Sequence, residues 1–167
     1  MDKSAIPGAC RPESGAAPLP RFAAPSAKIL VVDDLAANIR FLKELMSPCG
    51  AKTYAALSGA RAIEMMQKER YDIVFMDMMM PEMDGLETIA RMRELGAGGI
   101  DGANASGMTA ERFRQAPVVL VSASEIDAQD EAIAPLGVSG CLSKPIDAAK
   151  LFGILERLLP REKIIPA

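Results

Sequence analysis

The chain has 167 residues, half of them apolar, with a formal net charge of -3 and no histidine. Such a chain can bury one full domain core and is too apolar to be disordered, while its small acidic balance gives no electrostatic basis for gripping nucleic acid or an anionic membrane directly. The missing histidine excludes imidazole acid–base catalysis, a histidine-containing triad, histidine metal ligation and a phosphohistidine formed within the chain, so any chemistry here runs on carboxylates, hydroxyls and lysine.

No apolar run is long enough to cross a bilayer, so no membrane insertion is expected. The stretch from Met1 to Pro25 lacks the basic segment and apolar core of a secretory signal, which predicts a cytoplasmic protein. Cys10, Cys49 and Cys141 are odd in number and far apart, a spacing that points to reduced thiols rather than zinc or a disulfide framework.

Residues 1–26 are rich in Pro, Ala, Gly and Ser without a periodic apolar face, and predict a flexible leader. Lys28-Ile29-Leu30-Val31-Val32 reads as a first strand ending at Asp33-Asp34. A helix follows on Leu35, Ile39, Leu42 and Met46, closed by Pro48-Cys49-Gly50. A weaker strand over Lys52 to Ala55 leads to a helix start at Ser58-Gly59, with Ala62, Ile63, Met65 and Met66 as its core face.

Tyr71 to Met76 is the third strand, and Asp77 stands at its end. Met78-Met79-Met80-Pro81-Glu82-Met83-Asp84-Gly85 turns the chain into a third helix from Leu86 to about Leu95. Gly-rich residues 96–116 form a connection longer than most and predict an inserted loop at the sheet edge away from the strands' carboxyl ends. Pro117 to Val121 is the fourth strand, ending at Ser122-Ala123-Ser124. A short helix is expected from about Glu125 to Pro135-Leu136-Gly137. Val138 to Leu142 is the fifth strand, followed by Ser143-Lys144-Pro145. A last helix on Ala148, Leu151, Leu155 and Leu158 ends at Pro160, leaving residues 161–167 as a tail.

Strands alternating with helices five times predict an α/β, flavodoxin-like (βα)5 domain over residues 27–160, a doubly wound parallel sheet of strand order 2-1-3-4-5 with right-handed crossovers. In such a sheet ligands bind beyond the strands' carboxyl ends. The first and third strands are neighbours there, so Asp33, Asp34 and Asp77 should cluster, with Ser122 and Lys144 approaching from the fourth and fifth. Three carboxylates this close repel unless protonated or shared with a cation, and an all-oxygen site of that charge suits Mg2+, to which a main-chain carbonyl of the methionine run could add. Taken singly, Asp33-Asp34 could cap a helix, Ser122 could start one and Lys144-Pro145 could be a plain turn. Their recurrence at four of five strand ends is what argues for a site.

Leu30-Val31-Val32-Asp33-Asp34, Met76 to Gly85, Val121-Ser122-Ala123 and Leu142-Ser143-Lys144-Pro145 together resemble the receiver domain of two-component response regulators. That resemblance implies Asp77 as phosphoacceptor, Asp33 and Asp34 with the Met79 carbonyl as Mg2+ ligands, Ser122 as switch hydroxyl, Lys144 as phosphoryl clamp, and a cis peptide at Lys144-Pro145. Cys141 stands where many receivers carry a rotating Tyr or Phe. A stand-alone receiver, not an enzyme beyond its own phosphoryl transfer, is therefore expected. Its donor would be a partner histidine kinase or histidine phosphotransfer protein, and its output a protein target docking on the fourth helix, fifth strand and fifth helix, or onward relay. A phosphorylation-independent interaction module is the alternative. A haloacid-dehalogenase-like phosphohydrolase would place an Asp where Met79 stands, and in a flavodoxin-like electron carrier Asp33-Asp34 would repel the cofactor phosphate.

Overall fold

The computed structural model describes residues 18–97 and 113–167. Five parallel strands make the central sheet: β2 (Lys28–Val32), β3 (Lys52–Ala56), β4 (Ile73–Asp77), β5 (Val118–Ser122) and β6 (Gly140–Ser143). They lie in the order β3-β2-β4-β5-β6, which is the expected 2-1-3-4-5 of a doubly wound sheet. Helices α1 (Ala36–Met46), α2 (Gly59–Lys68), α3 (Gly85–Gly96) and α4 (Ala148–Leu158) connect and cover it.

The three central strands are buried on both faces, and their residues alternate between two cores. Ile29 and Val31, Ile73 and Phe75, and Val119 and Val121 pack with α1 and α4. Leu30 and Val32, Val74 and Met76, and Val118 and Leu120 pack with α2 and α3, where Met66, Met80 and Met92 serve as core filler. Side-chain caps set three helix starts: Ser58 accepts from the N–H of Arg61, Asp84 from Glu87 and Asp147 from Lys150.

Three expectations need correction. The short helix from Glu125 is not an α-helix. Asp127 Oδ1 accepts from the N–H of Gln129 and Asp130 Oδ1 from Ala132, so both carboxylates hold the chain in successive turns, and only Ala134–Leu136 closes as a 3-10 turn.

The leader over 1–26 is folded at its end. β1 (Phe22–Ala23) pairs antiparallel with β7 (Ile165–Pro166), so the tail over 161–167 is folded too, and Phe22 and Ala24 are buried against α1 and α4. Their burial, not their composition, decides their order. Finally, residues 113–115 of the expected insertion turn helically, with Phe113 buried in the core. Residues 98–112 and 1–17 lie outside the described residues.

Among the described residues, Arg93 joins this region through main-chain carbonyls. Its guanidinium donates to the carbonyls of Phe113, Arg114, Ala116, Leu136 and Gly137, and burial pulls its pKa down.

Candidate functional site

The carboxyl ends of β2 and β4 sit side by side because Val32 registers with Met76, which places Asp33 and Asp77 one residue further along adjacent strands. With Asp34 they form one cluster, each offering a carboxylate oxygen within 4.8 Å of the others. Asp77 is only 5% exposed, at the end of a strand with no exposed residue.

Lys144 reaches this cluster from the end of β6. Its Nζ donates to Asp77 Oδ1 at 3.0 Å and stands 3.6 Å from Asp33 Oδ2. The Lys144–Pro145 peptide is cis. Burial pushes the Asp77 carboxyl up; the Lys144 hydrogen bond opposes this, and the charges of Asp33 and Asp34 add to the rise. Burial works against the Lys144 ammonium, but its hydrogen bond to Asp77 and the charges of Asp77 and Asp33 outweigh that, so its pKa rises. With one ammonium against three carboxylates, two negative charges are left over when all are ionised. An oxygen-only donor set with this excess fits a divalent hard cation such as Mg2+.

Ser122 ends β5 and is buried, but its Oγ accepts from the N–H of Ser124 at 3.2 Å and lies 3.4 Å from the Ser124 hydroxyl, so its hydroxyl is held by its own loop. Its main-chain oxygen accepts from the Lys144 N–H at 2.7 Å, which joins the two loops. Met79 follows Asp77 by two residues and is 75% exposed. Cys141 is half-buried on the α2/α3 side, in contact with that core.

Two contributors escape the periodicity of the sequence. Asn38, in the first turn of α1, donates from Nδ2 to both oxygens of Asp33, at 3.1 and 3.3 Å. Its signal is a hydrogen-bond donor where the third helical position usually favours an acidic residue. Gly85 is the other: a Cβ there would stand 2.3 Å from the Asp77 carbonyl oxygen and 3.0 Å from Met78 Cα, so α3 starts against the backbone of Asp77 only because Gly85 has no side chain. A cavity of about 170 Å³ adjoins the cluster, and Asp33, Asn38, Asp77, Lys144, Phe41 and Ile146 are among the residues that line it.

Comparison with known proteins agrees with this architecture. Residues 29–99 match the family model of the response regulator receiver domain. A probable histidine kinase 6 of Oryza sativa subsp. japonica is 33% identical over 135 residues, covering 78% of this chain and 14% of that protein. The response regulator PleD of Caulobacter vibrioides is 33% identical over 142 residues, covering 84% of this chain and 27% of that protein. The chain therefore spans a minor part of the length of these relatives. Among solved structures, the receiver domain of a Pseudomonas aeruginosa sensor histidine kinase, described with a magnesium ion coordinated in its active-site cleft, superposes with a TM-score of 0.62. It is 25% identical over 79% of this chain and 96% of that one.

The doubly wound sheet, the acids at its switch point and these matches define the class: this chain belongs to the response regulator receiver domain family of two-component signalling. It is homologous both to response regulators and to the receiver domains of histidine kinases. Among the described residues, no helix is long and apolar enough to cross a membrane.

Proposed function

We propose that the domain is phosphorylated on Asp77 by a phosphohistidine of a partner histidine kinase or histidine phosphotransfer protein, and signals by changing its contacts with a downstream protein or by relaying the group onward. The observation that carries this reading is the Lys144 ammonium 3.0 Å from the buried Asp77 carboxylate, inside a cluster of three acids.

An Asp77 oxygen forms the new O–P bond as the donor's N–P bond breaks, and the freed imidazole takes up a proton from solvent. The Lys144 ammonium, already poised over Asp77, meets the oxygens of the arriving phosphoryl group. Mg2+ bound to Asp33, Asp34, Asp77 and the main-chain carbonyl of Met79 would neutralise charge on those oxygens. The acyl phosphate then offers Ser122 a stronger acceptor than Ser124, which draws the hydroxyl inward and shifts the loop it shares with Lys144. The domain modifies only itself, so we do not class it as an enzyme, and we place it in the cytoplasm with its donors.

The test is incubation with Mg2+ and a small phosphodonor, followed by intact-mass analysis. Wild type gains one phosphoryl group, and Asp77→Ala gains none. A label that persists in Asp77→Ala removes the assigned acceptor. The cysteine at position 141 favours a second reading, a phosphorylation-independent interaction module; wild type that stays unlabelled by both small donors and a phosphorylated histidine protein supports it.

A further inference from the structure

We propose that Asn38 is a positioning residue for the cation site: it holds the Asp33 carboxylate in the orientation from which it ligates a divalent ion, and keeps it from collapsing onto Lys144. This rests on the reading of Asp33, Asp34 and Asp77 as a Mg2+ site.

Asp33 is 3% exposed, so its carboxylate has little access to water and depends on protein donors for its orientation. Oδ1 accepts from the Leu35 N–H at 2.9 Å and from Asn38 Nδ2 at 3.3 Å, while Oδ2 accepts from Asn38 at 3.1 Å and faces Lys144 Nζ at 3.6 Å. Among the described residues, Asn38 is thus the one side chain that ties both oxygens, which fixes the carboxylate plane as well as its position. Without that tie, rotation about the Asp33 side chain brings Oδ2 toward the Lys144 ammonium, which would then be shared away from Asp77.

The helix itself does not ask for this residue. At the third helical position an acceptor would bond back to the N-cap N–H, and an acid would suit the helix dipole. The N-cap residue Leu35 offers no side-chain cap, and its N–H is already taken by Asp33. A donor amide at position 38 therefore serves the carboxylate, in the manner of partners that orient metal ligands.

Mg2+ binding by calorimetry to wild type, Asn38→Ala and Asn38→Leu tests the proposal, with melting temperatures in Mg2+-free buffer as the folding control. Both variants should stay folded and bind Mg2+ about 10- to 100-fold more weakly than wild type. Labelling with a small phosphodonor should show the same weakening as a higher half-saturating Mg2+ concentration than wild type.

Wild-type affinity in both variants would overturn the proposal. So would loss in Asn38→Ala that Asn38→Leu restores, because Leu fills the space without donating. A wild type that binds no Mg2+ would remove the cation site itself, and the proposal with it, while equal affinities would leave that site standing.

Discussion

Asp77 is held in an environment that disfavours its charge. Burial and the neighbouring Asp33 and Asp34 outweigh the help from Lys144, so in the absence of a cation the ionised carboxylate is a cost to the fold. Its folded pKa lies above the unfolded value. The folded state therefore holds this proton more tightly, and the stability that depends on it is present in acid and lost as pH rises from the ordinary carboxylate value through the raised one. Lys144 has the opposite consequence: its pKa is raised, so its stabilising pairing is intact below the ordinary lysine value and lost as pH climbs through the folded one. Asp77→Asn keeps the shape and removes the charge. Without Mg2+ at neutral pH it should stabilise the domain by about 1 kcal/mol, or about 2–4 °C in thermal melts. The difference from wild type should shrink on acidification into the carboxylate range. A melt in which Asp77→Asn is the less stable protein at neutral pH would show that the carboxylate is not under this load.

Two elements meet where Gly85 starts α3. The Cβ missing there would strike backbone, the Asp77 carbonyl and Met78 Cα, which cannot swing aside as a side-chain tip can. Gly85→Ala should therefore move the end of β4, cost about 1–3 kcal/mol in urea unfolding and slow phosphoryl labelling about 100-fold. Labelling at the wild-type rate would mean that the proposed role of Asp77 does not depend on this close approach. The segment from Glu125 to Leu136 shows how local pattern fails. Ile126 and Ile133 pack on the α3 side although no α-helix carries them there. Asp127 and Asp130 side chains compete for the N–H groups a helix would use, and Arg93 takes the carbonyls of Leu136 and Gly137, so the turns win. Neither competitor has a periodicity to read.

On the scale of the whole molecule, the two ends of the described chain pair with each other. β1 pairs with β7, Phe22 is buried with Ala24 and Cys49 on the α1 side, and Lys163 donates to both oxygens of the buried Asp72, which also takes the Lys28 N–H. These contacts stand at the edge opposite the acids, so they support the fold without touching the chemistry. Phe22→Ala should cost about 3–5 kcal/mol of stability while the folded protein labels at the wild-type rate. A loss below 1 kcal/mol in denaturant would show that the strap is peripheral.

The strands, their order and the residues at their ends were legible along the chain. A short continuous apolar run marks a strand buried on both faces, and a polar residue ending such a run must come to the rim whatever the rest of the domain does. Asp33, Asp77, Ser122 and Lys144 were readable for that reason. Tertiary structure alone decided which of them touch: Lys144 and Asp77 are 67 positions apart and meet at 3.0 Å, whereas the Ser122 hydroxyl turns to Ser124. It also decided the service of Asn38 to Asp33, the unwinding after Glu125 and the pairing of Phe22 with Pro166. Periodicity records which way a residue faces, but partners distant along the chain are chosen by register and packing, which no local stretch contains.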